Sequence, residues 1–232
     1  MVAPMIPRVV IETSATPDGT EIVLSREAGH FMIRVGRIPL MSSAVHGSEE
    51  AMAEFGFAGH AEHPAPRVLI GGLGMGFTLR AALDALPKAA DVHVVELLEA
   101  LIGWNRTHLA ELSQNALKDP RVALERGDVR EVLARRAAAY DVVLLDVDNG
   151  PEALTIPSND GLYSKRGLET LRRALRSGGR AVIWSAFEAP RFESRFRAAG
   201  FDVTVEAVRA RGKVRKGSQH LLYVGRAAAA RR

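Results

Sequence analysis

The chain has 232 residues, of which 47% are hydrophobic and 25% are charged. This length suits one large domain, or one domain with a small appendage, and the composition excludes a disordered or fibrous protein. The chain has no cysteine, which excludes a disulfide scaffold, a thiolate metal site and cysteine nucleophilic catalysis. The net charge of +4 permits an anionic partner, but the arginines are spread along the chain, so we expect no nucleic-acid partner.

The chain shows no sign of a membrane-spanning or secreted protein. No uncharged apolar run approaches the roughly 20 residues that a membrane-spanning helix needs. The first eight residues lack a basic region followed by an apolar stretch and a cleavage site. We therefore expect a cytoplasmic protein with no membrane partner.

Residues 8 to about 45 alternate apolar and polar positions, with turn residues at 18–19 and 36. This pattern predicts a small antiparallel sheet, whose free edges lead us to expect a homodimer. Residues 48–57 predict a short helix with Ser48 as its N-cap. Prolines then mark a boundary, so we divide the chain into an N-terminal β segment at 1–60, a main domain at 61–226 and a flexible tail at 227–232.

Strand and helix patterns alternate regularly from residue 67 onward, which predicts a parallel sheet with helices on both faces. The sequence therefore predicts a doubly wound α/β domain of the Rossmann kind. Leu98, Leu101, Ile102, Leu109 and Leu112 are predicted to line one helical face. Predicted strands lie at 68–71, 92–96, 122–125, 142–145 and 181–184, followed by a hairpin of 201–208 and 220–224. Trp184 could flank a ligand, but its place at a strand end favours the core.

A glycine-rich loop follows the first predicted strand of this domain. Gly72, Gly74 and Gly76 would let the backbone turn tightly and approach a ligand closely. A nicotinamide fingerprint would need a further glycine at position 77, where the chain has phenylalanine. The observed G-x-G-x-G spacing is the form found in S-adenosylmethionine-dependent transferases, although a tight strand-to-helix turn would need similar glycines.

Acidic residues follow the next three predicted strands, at the sheet edge where ligands bind in such folds. Glu96 could accept hydrogen bonds from ribose hydroxyls, or it could be an exposed acid at a helix start. Asp128 could accept the amine of adenine, or cap a helix that begins at Val129, or do both. Asp146 and Asp148 need a cation or a proton donor between them, unless they lie in a solvated loop.

The motifs of this sequence resemble those of a known family, the spermidine synthases or polyamine aminopropyltransferases. The similarity covers roughly residues 21–184 and includes a small β-domain before the Rossmann domain. Its motifs are the runs at 63–72, 74–80, 127–128, 140–146, 161–163 and 171–179, together with Glu96.

The resemblance implies a methyltransferase-type Rossmann sheet and a transferase activity. It implies that the glycine loop, Glu96, Asp128 and Val129 bind S-adenosylmethionine or its decarboxylated form, with no metal. It also implies that Asp146, with Asp148, accepts a proton from an attacking small amine. Candidate residues for binding that acceptor are Asn149, Tyr163, His46 and Glu49.

The sequence departs from the family on the side of the acceptor. An aspartate of the glycine loop is matched here by Met75, and the second aspartate of the fourth-strand motif by Asn149. The upstream segment 43–49 has only acids and a histidine, His46, where the family has a glutamine, a paired acid and a tyrosine. The nucleoside half of the site is therefore kept, while the half for the amine is rebuilt.

Four functions remain open from the sequence. The first is aminopropyl transfer from decarboxylated S-adenosylmethionine to a small amine. The second is methyl transfer from ordinary S-adenosylmethionine to another acceptor. The third is a nucleoside-binding protein without catalysis, and the fourth is an RNA-modifying enzyme that uses the basic stretch 209–216.

Overall fold

The computed structural model describes residues 8–59, 63–147, 150–152, 160–211 and 218–228. Its strands are β1 (Val9–Ala15), β2 (Glu21–Glu27), β3 (His30–Val35), β4 (Ile38–Ser42), β5 (Arg67–Gly71), β6 (Asp91–Glu96), β7 (Val122–Arg126), β8 (Tyr140–Leu145), β9 (Leu175–Ser185), β10 (Phe201–Arg209) and β11 (Gln219–Ala227). Its α-helices are α1 (Gly47–Phe57), α2 (Phe77–Ala85), α3 (Glu99–Arg106), α4 (Val129–Ala134), α5 (Asp160–Tyr163), α6 (Lys165–Ala174) and α7 (Pro190–Ala198).

The large sheet has the strand order β10-β11-β9-β8-β5-β6-β7. Strands β5 to β9 run parallel to their neighbours among themselves, and β11 is antiparallel to both β9 and β10. This confirms the predicted doubly wound α/β fold. The strand order reverses at β5. Strands β6 and β7 lie on one side of it, and β8 and β9 lie on the other. That reversal creates a crevice at the carboxyl ends of β5 and β8, where such sheets bind their ligands.

Two hydrophobic clusters hold helices against the faces of this sheet. On one face, Leu69 and Val143 pack with Leu168 and Leu171 of α6 and with Phe192 of α7. On the other face, Met52 of α1 and Leu79 of α2 pack on Val68, Ile70 and Leu144 of the sheet. Because both faces are covered, the strands read as nearly continuous apolar runs, as the sequence predicted.

The small sheet is an antiparallel meander of β1 to β4, which confirms the predicted N-terminal antiparallel segment. Its apolar face packs on α3 and on the loop after β5 in a third cluster. Ile22 and Ile33 of the small sheet meet Leu101 and Trp104 of α3 there. The small sheet therefore lies over the carboxyl ends of the large sheet and is positioned to form a wall of a ligand site.

Helix α1 packs on the large sheet although it precedes the expected boundary at residue 60. Met52 and Ala53 belong to the same cluster as Val68 and Ile70. A β-carbon on Gly56 would lie 2.7 Å from a methyl group of Leu144, so the helix is in close contact with β8. We therefore propose that the main domain begins between β4 and α1. At the other end, β11 extends to the buried Ala227, one residue into the expected tail.

The structure corrects two local predictions. Helix α1 is capped at His46, and Ser48 is a buried residue of the first turn whose hydroxyl makes other contacts. Helix α3 ends at Arg106, because Thr107 leaves the helical conformation. Leu109 therefore reaches the same cluster as Leu101 from a turn. Within the described residues, no helix is both long enough and apolar enough to cross a membrane.

Candidate active site

A cavity opens at the carboxyl ends of β5, β6, β7 and β8, under the small sheet. The end of β4 supplies Leu40, Met41 and Ser42 as one wall, and helix α1 supplies Glu49. The segments that follow these strands supply residues that the sequence singled out, namely Gly72, Gly74, Glu96, Asp128, Val129 and Asp146. The fold thus brings together most of the predicted donor-binding residues.

The glycine loop forms the floor of this cavity. Gly72 has φ = +89° and Gly74 has φ = +53°, in the left-handed region that favours glycine. Gly76 serves a different purpose, because it is the left-handed N-cap of α2 and its α-carbon faces Asn105 and Ser113. The predicted close approach of backbone to ligand therefore concerns Gly72 and Gly74, while Gly76 allows the turn into α2.

Met75 points away from the cavity. It is completely buried and packs with Ile22, Leu24 and Leu98 between the small sheet and α3. The loop therefore presents glycine backbone to the cavity at Gly72 and Gly74, without a carboxylate.

Glu96 is buried at the end of β6, with 4% of its surface exposed. One carboxylate oxygen accepts the backbone N–H of Leu73 at 2.7 Å and the other accepts that of Leu98 at 2.8 Å. Burial raises the pKa of Glu96, while the backbone N–H groups oppose that rise. This excludes the reading of Glu96 as an exposed helix-start acid. Glu96 also lines the cavity, and the proposed ribose contact stays a prediction.

Asp128 caps helix α4, as one of its two readings predicted. Its side chain accepts the backbone N–H of Arg130 at 2.8 Å and pairs with the guanidinium of the same residue at 2.6 Å. It also lines the cavity, together with Val129. The adenine contact remains a prediction, since the cap uses only part of the carboxylate's capacity to accept hydrogen bonds.

Asp146 follows β8 and faces the cavity. Its side chain accepts a hydrogen bond from the hydroxyl of Thr78 at 2.9 Å, and its backbone N–H donates to Gly71 at 2.8 Å. Burial raises the pKa of Asp146 to about 6, and the hydrogen bond from Thr78 opposes that rise. A carboxylate with this pKa is ionised at neutral pH and still binds a proton readily.

Glu49 joins Asp146 at the cavity from helix α1. Burial and, after it, the negative charge of Asp146 raise the pKa of Glu49 to about 8. Two carboxyl groups in one low-dielectric site share a proton, because ionising both is costly. The pair therefore holds a proton at neutral pH, and a cation in the cavity would displace it.

The other two described candidates for acceptor binding lie away from the cavity lining. The His46 ring stacks on Phe77 with centroids 4.3 Å apart, and its Nδ1 lies 2.9 Å from Glu50. Tyr163 is 2% exposed, and its hydroxyl donates to the carbonyl of Val147 at 3.3 Å. Both residues therefore support the fold around the site. Asp148 and Asn149 lie outside the described residues, as does most of the basic stretch 209–216.

The site also contains side chains that the sequence did not single out as functional. His220 of β11 is one of them, and its ring lies 4.7 Å from that of Trp184, which packs on the core and also lines the cavity. Thr78, two positions after the last glycine of the loop, was not singled out although it holds Asp146. In the described part of the chain, no three acidic or histidine side chains are grouped to hold a metal ion.

Comparisons with a family profile and with individual proteins point to the same family. The profile of the spermine/spermidine synthase domain matches residues 46–196. Polyamine aminopropyltransferase 2 of Pseudomonas aeruginosa is 39% identical over 126 residues, which are 52% of this chain and 34% of that protein. The chain therefore matches about a third of the length of this relative.

Solved structures show the same fold. The spermidine synthase of Thermotoga maritima superposes with a TM-score of 0.72 at 16% identity, over 94% of this chain and 72% of that one. A spermidine synthase in complex with the transition state analogue AdoDATO superposes with a TM-score of 0.77 at 17% identity, over 95% and 74%. By the domain match over more than half of its length, the chain belongs to the spermine/spermidine synthase family.

Proposed function

We propose that this protein transfers an aminopropyl group from decarboxylated S-adenosylmethionine to a small amine. The observation that carries the proposal is the cavity itself, where the glycine loop and the carboxylates of Glu96, Asp128 and Asp146 converge from four strand ends. Family membership supports it, since the matched relative in Pseudomonas aeruginosa is a polyamine aminopropyltransferase.

The donor's nucleoside fits the half of the cavity nearest β6 and β7. Glu96 would accept the ribose hydroxyls, and the Leu73 and Leu98 amides hold its carboxylate in place for this contact. Asp128 would accept the adenine amine. The backbone at Gly72 and Gly74 would lie against the donor, because both glycines line the cavity and neither carries a side chain.

The transfer needs an amine with a free lone pair, held in line with the bond that breaks. The amine nitrogen forms a bond to the carbon attached to the sulfonium, and the carbon–sulfur bond breaks, so that sulfur leaves as a neutral thioether. The nitrogen then carries a positive charge and one proton too many. Asp146 would accept that proton and stabilise the cation as it develops. Thr78 holds the carboxylate for this role.

The carboxyl pair argues for the decarboxylated donor. A donor that keeps its own carboxylate would bring a further negative charge into a cavity that already contains Asp146 and Glu49. Isothermal titration of the purified protein with both donors tests this. We expect tighter binding of the decarboxylated form, and a preference for ordinary S-adenosylmethionine would contradict the proposal.

One observation favours methyl transfer as a second candidate. The glycine loop presents no carboxylate to the cavity, because Met75 is buried under the small sheet. A donor carboxylate would meet no repulsion from the loop itself. If S-adenosylhomocysteine fails to raise the melting temperature of the protein, this second candidate is excluded.

A further inference from the structure

A chain of three polar side chains joins Glu49, which lies beside Asp146 in the cavity, to His220, which lines the same cavity. The hydroxyl of Ser48 lies 2.6 Å from Oε2 of Glu49 and 2.8 Å from Nδ1 of His220. Ser48 has no exposed surface and Glu49 is 6% exposed, whereas His220 is half-buried. The three groups therefore form a continuous hydrogen-bonded path from a buried carboxyl group to a less buried imidazole.

The fold holds this path in place although its ends are 172 residues apart in sequence. The backbone N–H of Gly47 donates to the carbonyl of Ala210 at 2.9 Å, which ties the start of α1 to the end of β10. Trp184 packs edge-on against the His220 ring at an interplanar angle of 74°. Glu49 and His220 both line the cavity, and Ser48 is buried between them.

This arrangement can move a proton without moving a heavy atom. In one state Glu49 is protonated and donates to the Ser48 oxygen, while the Ser48 hydroxyl donates to Nδ1 of His220. When each proton shifts to its acceptor, Glu49 becomes a carboxylate, Ser48 keeps one proton and His220 becomes an imidazolium. No atom is lost or gained, and the imidazolium can then release its other ring proton to solvent.

We propose that Glu49, Ser48 and His220 are a proton relay: Glu49 passes its resting proton through Ser48 to His220, and the Glu49 carboxylate then takes the proton that an acceptor ammonium gives up before attack. The proposal deepens the proposed function and rests on it for the identity of the proton donor. Ser48 and His220 act through Glu49 and do not themselves perform the transfer.

The charges around the path set the direction of this movement. Glu49 faces Asp146, which follows β8, and Glu50 on its own helix is a further negative neighbour. Together with burial, these charges favour the protonated form of Glu49. Burial lowers the pKa of His220, so the resting imidazole is neutral, and it accepts a proton only when Glu49 gives one up. An ammonium ion in the cavity would reverse the preference of Glu49, because the positive charge stabilises its carboxylate.

The test is a nuclear magnetic resonance titration of the full chain labelled with ¹⁵N-histidine, with His220 assigned by the variant His220→Asn. It needs neither donor nor activity. We expect the ring nitrogens of wild-type His220 to report two steps with pH, its own and that of Glu49. Ser48→Ala and Glu49→Gln should each remove the second step. Glu50→Gln, one position along the same helix, should leave it in place.

The kinetic arm uses the same variants once transfer to an amine is measured. Ser48→Ala should lower kcat about tenfold or more, leave KM for the donor unchanged and alter the pH profile of kcat. A single-step His220 titration in the wild type, or two steps that survive in Ser48→Ala, would overturn the relay. If the second step is present and no amine accepts an aminopropyl group, the relay stands and the proposed function fails.

Discussion

The α-carbon of Gly72 lies against the backbone of Asp146, so that a β-carbon at position 72 would collide with the Asp146 carbonyl oxygen. Gly72 also has φ = +89°, which any other residue adopts only under strain. We expect Gly72→Ala to separate the glycine loop from β8. Gly19 provides a matched comparison, with φ = +85° and no atom within 4 Å of an added β-carbon.

The free energy of unfolding of Gly19→Ala should therefore fall only by the cost of the backbone conformation, about 1–2 kcal/mol. In Gly72→Ala the cost of the collision adds to that of the backbone conformation, so the free energy of unfolding in urea should fall further. The affinity of this variant for adenosine ligands should also fall. Equal losses in the two variants would show that the loop is not packed on β8 as described.

Glu96 should be needed both for the shape of the loop and for the donor. Glu96→Gln places an amide N–H₂ opposite a backbone N–H group, either that of Leu73 or that of Leu98. Leaving a buried donor unpaired costs about 1–3 kcal/mol, which unfolding in urea would detect. Glu99→Gln is the control, because Glu99 forms an exposed ion pair with Arg126. It should change neither the stability nor the binding of 5′-methylthioadenosine.

Asp128 allows its two roles to be separated. Asp128→Ser keeps an N-cap oxygen for the backbone N–H of Arg130, whereas Asp128→Ala removes it. We expect the alanine variant to lose about 1 kcal/mol of stability and the serine variant much less. Both should bind 5′-methylthioadenosine more weakly, measured by calorimetry. If the serine variant binds as tightly as the wild type, Asp128 is only a cap.

The raised pKa of Glu49 predicts how stability depends on pH. The pKa is about 8 in the folded protein against 4.5 for an ordinary glutamate, so the folded state binds the proton more tightly. Its contribution is therefore complete below about pH 4.5 and is lost as the pH rises toward 8, by at most about 1.4 kcal/mol per pH unit. Asp146 has the same sign, but its pKa of about 6 confines its loss to lower pH.

Glu49→Gln should flatten the fall in the free energy of unfolding between pH 6 and pH 8. Urea unfolding at three pH values in this range would measure it. Glu50→Gln, a change at a more exposed carboxylate of the same helix, should keep the wild-type slope. A wild-type slope in Glu49→Gln would mean that the titration belongs to another group.

Asp146→Asn should abolish a proton acceptor without removing the hydrogen bond to Thr78, since the amide oxygen can accept it. We expect aminopropyl transfer to fall by about 100- to 10,000-fold while the affinity for the donor changes little. Steady-state turnover and donor titration on the same preparation would show this. Asp84→Asn, at an exposed position of α2, should leave turnover unchanged.

The large sheet could be predicted because its strands are local apolar runs separated by helical periodicity. Local patterns also placed Glu96, Asp128 and Asp146 at one edge, since the carboxyl ends of parallel strands meet there. Ser48 was misassigned as an N-cap because its local sequence suits a cap, whereas the fold uses its hydroxyl for a contact with His220. That contact joins α1 to β11, and local sequence carries no signal for it.

The orientation of side chains on the glycine loop was equally inaccessible. The sequence puts Met75 between two glycines, and only the packing of the small sheet decides that it faces Leu24 and Leu98 instead of the cavity. Long-range packing likewise decides that Trp184 lines the cavity. The residues that we propose to bind the donor are thus encoded in short motifs, whereas the rest of the cavity wall depends on tertiary contacts.

The central claim is that the ends of β5, β6, β7 and β8 hold an adenosine. A crystal structure with 5′-methylthioadenosine tests it most directly. We predict ribose hydroxyls within hydrogen-bond distance of Glu96, the adenine amine beside Asp128 and the sulfur facing Asp146. A nucleoside bound elsewhere, or a cavity that stays empty at saturating ligand, would contradict the account.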